Sequence, residues 1–153
     1  MSKTKVEIYT DGACSPNPGG GGWGAVLISS KHNLRTELSG AEADSTNNRM
    51  EMTAAIKALE ALKKSCIVEL YTDSSYLKNA FEQKWLNNWQ NKGWKTKAGK
   101  PVANKDLWLR LLEVSRNHEV SWHWVKGHSG HPENVRCDEL AVKARKERSK
   151  SIK

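Results

Sequence analysis

Residues 6 to 11 read VEIYTD and residues 68 to 73 read VELYTD, so one six-residue phrase occurs twice, with Ile8 in the first copy and Leu70 in the second. Each copy alternates apolar and polar side chains, is rich in strand-forming residues and ends on an acid, as a strand does where it meets a turn. If the two strands are neighbours and parallel, Asp11 and Asp73 lie one strand spacing apart, about 5 Å between backbones. Two carboxylates that close repel unless a cation sits between them. Either aspartate alone could be a plain turn former; the repetition is what points to a shared cation.

The segments between the two copies make a parallel arrangement possible. After the first strand, 16–22 (PNPGGGG) is expected to be a turn, and WGAVLISS, 23–30, a strand pairing back antiparallel. A third strand is expected over 35–42. Segment 44–62 spaces Met52, Ala55, Ile56, Leu59 and Leu62 as the apolar stripe of a helix, with Ser, Thr and Asn before it as capping residues. That helix is long enough to cross back over the sheet, which sets strand 67–72 parallel to the first through a right-handed connection. Glu51 precedes Ala55, Ala58 and Leu62 at helical spacing and so points along the flank of the stripe. It is either an inward carboxylate in need of a partner or a first-turn Glu favoured by the helix dipole.

Segment 84–105, KWLNNWQNKGWKTKAGKPVANK, holds six lysines, three tryptophans and no acid. Lysines neutralise phosphates and aromatic faces take sugars or bases. Trp85 and Trp89, four apart, could instead pack inward from an amphipathic helix. A structural helix is expected over 104–117 with Leu107, Trp108, Leu111, Leu112 and Ser115 on one side, then an alternating strand at 120–125. The glycine-flanked stretch around His128 reads as a loop, with the histidine either poised for proton transfer or simply on the surface. A last helix opens at Pro132 and turns Cys137, Leu140, Ala141 and Ala144 inward, with Asp138 beside them.

At 153 residues the chain is long enough for one domain with a substantial core. We divide it into a single domain, 1–146, and a basic C-terminal tail, 147–153, expected to be disordered. The three cysteines are scattered and lack CxxC spacing, which argues against a disulfide framework or a zinc knuckle. No stretch approaches the ~18 apolar residues of a membrane span and no leader precedes the first strand, so a cytoplasmic protein is expected. The net charge of +8 calls for a polyanionic partner, nucleic acid or an anionic membrane surface.

Asp11, Glu51, Asp73 and Asp138 come from two strands and two helices and offer only oxygen ligands, which select a hard cation such as Mg²⁺ or Mn²⁺. Four carboxylates carry enough charge for two divalent ions, which together can activate water and stabilise a leaving oxygen in phosphodiester cleavage. Setting those four of the 17 acids aside leaves 13 against 25 basic side chains, a positive surface around a negative centre. That distribution suits a nuclease.

TDGACSPNPGGGGWG, TNNRMEMTAAIKALEAL, YTDSSY, GWKTKAGKPVANKDLW and WVKGHSGHPENVRCDELA together resemble type 1 ribonuclease H of the bacterial kind, over nearly the whole chain. The resemblance implies an α/β ribonuclease H-like fold: a mixed five-stranded sheet, its first three strands antiparallel and the others parallel to the first, flanked by helices. It also implies endonucleolytic hydrolysis of the RNA strand of RNA/DNA hybrids with two Mg²⁺ ions, Mn²⁺ an alternative, leaving 5′-phosphate and 3′-hydroxyl ends. The family's catalytic positions fall on Asp11, Glu51, Asp73 and Asp138, the metal ligands, with His128 as the loop histidine. Asn17, Asn47 and Asn48 match groove contacts, Thr46 and Asn104 a phosphate site on the DNA strand. The basic segment matches the family's protruding handle, with Trp85, Trp89, Lys92, Lys95 and Lys97 toward the substrate. The expected partner is the hybrid duplex and no membrane, with the protein a monomer. Two departures stand out: Asp44 where an arginine often supports the phosphate site, and Ser75 where a glutamine commonly makes a groove contact.

Overall fold

The computed structural model describes residues 3–125 and 131–151, with side chains described as far as Arg148. In chain order the elements are β1 (Thr4–Cys14), β2 (Gly19–Ser29), β3 (Leu34–Ser45), α1 (Asn47–Glu60), β4 (Cys66–Thr72), α2 (Ser75–Glu82), α3 (Trp85–Asn91), α4 (Lys105–Ser115), β5 (Glu119–Trp124) and α5 (Pro132–Ser151). The strands form one mixed sheet in the order β3-β2-β1-β4-β5. β1 pairs antiparallel with β2 and β2 with β3, while β4 lies parallel to β1 and β5 to β4. This is the five-stranded arrangement expected from the sequence. The repeated phrase supplies the central register, Val6 against Val68 through Tyr9 against Tyr71.

Helices cover both faces. α1 packs on β1 and β2 and against α4, and α5 packs on β1, β2 and β3. Alternation along the strands divides the core accordingly. Val6, Ile8, Ala25, Leu27, Val68 and Leu70 meet the helices of the α1 layer, while Tyr9 and Val26 meet Cys137 and Leu140 of α5. Trp108 of α4 is fully buried, a position where truncation to alanine costs about 3–5 kcal/mol. All three cysteines are free and buried.

Several boundaries differ from the sequence reading, for physical reasons. The turn shrinks to the residues between Cys14 and Gly19, because Gly19–Gly22 join the β2 ladder. Glycine is needed there by close approach: a Cβ on Gly22 would lie 2.1 Å from the Ala141 carbonyl oxygen, and one on Gly24 2.5 Å from that of Cys137. α2 had no counterpart in the reading of the sequence; Ser74 caps it by accepting from the Leu77 N–H at 3.2 Å. In α4 the inward position after Leu111 is Val114 rather than Ser115, with Leu112 only half-buried. The helical backbone of α5 runs to Ser151. Its C-terminal half is rich in good helix formers and includes an i, i+4 pair, Lys143 with Glu147 at 3.9 Å. Among the described residues no helix is long and apolar enough to cross a membrane.

Candidate active site

Asp11 is not at the tip of its strand: β1 continues through it to Cys14, and Asp11 faces Gly24 of β2. Asp73 lies immediately beyond the end of β4, the next strand over. Each aspartate lies two residues past its member of the Tyr9–Tyr71 pair, the last of the β1–β4 register, and their carboxylates come together. Glu51 comes from the first half of α1. Thr46 caps that helix, its hydroxyl accepting from the Arg49 N–H at 3.1 Å. The helix can lie against β1 because residue 12 is glycine; a Cβ there would stand 2.4 Å from the Met50 carbonyl carbon and 2.7 Å from the Glu51 nitrogen. This missing side chain brings Glu51 to Asp11.

The three carboxylates offer oxygens that all lie within 4.8 Å of one another. Glu51 is 9% exposed, and its Oε2 is fully buried with no hydrogen-bond partner. Burial, then the charges of Asp11 and Asp73, push its carboxyl well above the ordinary range. Burial and then the Asp73 charge raise Asp11 to about 6, although its Oδ1 accepts from the Gly12 N–H at 2.9 Å. Asp138, on α5, stands outside this tight set, and its charge adds to the upward push on Asp11. An unpartnered buried carboxylate oxygen among further acids is costly unless a cation or a proton compensates. The donor set, all carboxylate, suits a hard divalent ion.

The other sequence-predicted residues fall into two groups, one around the start of α1 and one in the basic segment. Asn17 in the β1–β2 turn accepts the Asn47 N–H on its Oδ1 at 3.1 Å, and Asn47 accepts the Cys14 N–H at 2.7 Å. Turn, strand end and helix start are thereby joined, with Asn17, Asn47 and Asn48 exposed. Asn104 precedes α4 in the left-handed region at φ 62° and donates from Nδ2 to the Tyr76 hydroxyl at 3.2 Å. Arg49, to which the sequence reading assigned no role, ties two of these positions together. It donates to Asn104 at 3.2 Å and in two-pronged fashion to Asp106 at 2.8 and 3.0 Å. With Pro18, Gly19, Asp44, Ser45 and Thr46 it lines a recess of about 340 Å³. Its signal in the sequence was its place one turn after the cap, three residues from Thr46.

In the basic segment Trp85 and Trp89 both pack against the core and keep half-exposed rings. Trp89 sits 5.8 Å from Trp85, 6.0 Å from Trp94 and 5.7 Å from Trp108, centroid to centroid. Inward packing therefore holds for both, while Lys92, Lys95 and Lys97 project into solvent. His128 lies outside the described residues.

Sequence and structure comparisons agree with this construction. The family model described as RNase H matches residues 3–146. A ribonuclease H of Moorella thermoacetica is 61% identical over 137 residues, 90% of this chain and 89% of its own. Among solved structures, LC9-RNase H1, a type 1 RNase H with the type 2 active-site motif, has a TM-score of 0.85 at 30% identity over 96% of this chain and 74% of its own. LC11-RNase H1, solved in complex with an RNA/DNA hybrid, has a TM-score of 0.71 at 25% identity over 93% of this chain and 97% of its own. A sheet of this order, a three-carboxylate centre where β1, β4 and α1 meet, and a family match along almost the full length lead to one conclusion: the chain belongs to the RNase H family.

Proposed function

We propose that this chain hydrolyses the RNA strand of RNA/DNA hybrids endonucleolytically, leaving 5′-phosphate and 3′-hydroxyl ends. Family membership makes it an endoribonuclease. The convergence of Asp11, Glu51 and Asp73 around a buried oxygen carries the proposal, since a divalent ion held there would offset the charge that the three carboxylates share. Asp11, Glu51, Asp73 and Asp138 would hold two Mg²⁺ ions, or Mn²⁺ in their place. Such ions lower the pKa of a bound water and offset charge on the leaving oxygen.

The protein's own contribution is placement. Asp11 is held within a paired strand, Asp73 at the end of its neighbour and Glu51 by a capped helix, so the carboxylates converge in the folded chain. Asn17, Asn47 and Asn48 are assigned to the hybrid's minor groove, where 2′-hydroxyls distinguish RNA from DNA. Thr46 and Asn104 are assigned to a phosphate of the DNA strand, beside Arg49. Trp85, Trp89, Lys92, Lys95 and Lys97 are assigned to the duplex backbone, and His128 to proton movement or product departure. The hybrid-bound relative supports this substrate class. Residues 1–146 would act as one domain, as a monomer and in the cytoplasm, which size-exclusion with light scattering and cell fractionation would test. The decisive experiment offers labelled hybrid, duplex DNA and duplex RNA with and without Mg²⁺. Cutting confined to the RNA of the hybrid and dependent on the ion is expected, and equal cutting of duplex DNA would defeat the proposal.

A further inference from the structure

The C-terminal half of α5 has no part in the site described above, yet from Lys143 to Lys153 the sequence carries six basic residues and one acid. Its position follows from the residues it meets along β3 and β2. Glu133 accepts from Arg35 and Glu37 from Arg136; Gly24, opposite Ser39, meets Cys137 and Leu140; Gly22, opposite Ala41, meets Ala141 and Arg145. Helix and strand thus advance together, about 18 Å of helix from Glu133 to Arg145 against about 20 Å of strand. Arg145 thus stands level with the Ala13–Gly22 pair, one pair short of Cys14 at the end of β1, and from Ala41 the strand β3 runs on to Ser45, beside Thr46. Burial raises the Cys14 thiol at the end of β1; Glu42 adds to that rise and Arg145 opposes it. Lys143 and Lys146 are exposed.

We infer that Lys143, Arg145 and Lys146 form a second phosphate track, which takes the backbone of the duplex where it leaves the groove contacts at Asn17. The inference rests on the hybrid reading of the site and extends its footprint. From Asp138 to Arg148 the helix spans about 15 Å, the length of about four to five base pairs. Contact here is with phosphate and independent of sequence, and it serves only duplexes long enough to reach it. Glu42 and Glu147 lie within the same region and reduce its potential without reversing its sign. Lysines near a helix C-terminus also offset the helix dipole. That role alone would alter stability and leave the dependence on duplex length untouched.

The test compares wild type with Lys143→Gln/Lys146→Gln on hybrids of about 8 and about 20 base pairs, measuring KM in Mg²⁺ over a series of salt concentrations. The expected result is a KM penalty on the long hybrid about threefold to tenfold larger than on the short one, with a salt slope lower by about 1 to 2. Lys143→Arg/Lys146→Arg should recover the wild-type length dependence, because charge is what the track supplies. Equal penalties on both lengths, or none, would overturn the inference. Failure of the wild type to cut either hybrid would instead bring down the substrate reading, and this inference with it.

Discussion

Glu51 is buried with two carboxylates for neighbours, whereas Lys92, Lys95 and Lys97 carry charge of the opposite sign in open solvent. The difference lies in what each region costs the fold. Like charges in water are screened over about 10 Å and nearly free to maintain. Like charges facing one another under burial are held together only by the structure around them: the parallel pairing of β1 with β4, the cap at Thr46 and the absence of a side chain at Gly12. The acidic centre is therefore a strained, preorganised site, and the basic segment a solvated one resting on a tryptophan platform.

The strongest way to break this contrast is Asp11→Asn. Loss of the carboxylate between strand and helix should lower the cleavage rate at least about 1,000-fold, about 4 kcal/mol in the barrier, in a single-turnover assay. Affinity for the hybrid should persist, since binding is assigned elsewhere; retained turnover would remove Asp11 from the centre.

Next in size is a gain of stability. Asp11 is raised to about 6 and Glu51 is raised well above its ordinary value, both first by burial. A group whose folded pKa is raised stabilises the fold while protonated, below its unfolded value near 4, and loses that contribution as pH rises through the folded value. In chelator, the wild type should accordingly lose stability relative to Glu51→Gln as pH climbs from about 4 past 6. The expected difference at neutral pH is on the order of 1–3 kcal/mol, read from urea unfolding. Mg²⁺ should narrow it by stabilising the wild type. A variant no more stable than wild type at any pH would mean that the carboxylates are not in conflict.

The basic segment should behave in the opposite way. Lys92→Gln/Lys95→Gln/Lys97→Gln should leave the unfolding free energy within about 0.5 kcal/mol of wild type. The same variant should raise KM for the hybrid about tenfold and reduce the salt slope by about 1 for each phosphate that is no longer neutralised. Arg49→Ala, at the seam between the two regions, is expected to have a small effect, read on stability alone. Its pair with Asp106 is partly exposed, so a loss of less than about 1 kcal/mol should appear in thermal unfolding. A larger loss would show that Arg49 braces α1 against α4 rather than serving the recess beside Thr46.

The acids that build the centre were legible because their signals are local: two copies of a strand phrase, and a glutamate at helical spacing from an apolar stripe. Arg49 was not, because its role depends on Asp106, a residue brought near only when α4 packs on α1. The glycines at 19–22 looked like a turn for a comparable reason. Glycine at a close approach of helix to strand and glycine in a loop are the same letter, and only the Ala141 carbonyl against Gly22 and the Met50 side chain against Gly21 tell them apart. α2 escaped notice because eight residues with two buried side chains, Leu77 and Ala80, make too short an apolar pattern to register.

By itself, then, the sequence determined the sheet's central pairing, the acids at its edge, the basic segment and the family, since each is written in periodicity, charge or a contiguous motif. Tertiary structure decided how near those acids come, that Glu51 is buried among them, and that α5 follows β3 along the sheet. Distances between elements and the burial of individual atoms are properties of packing, and packing depends on pairs of residues far apart in the chain.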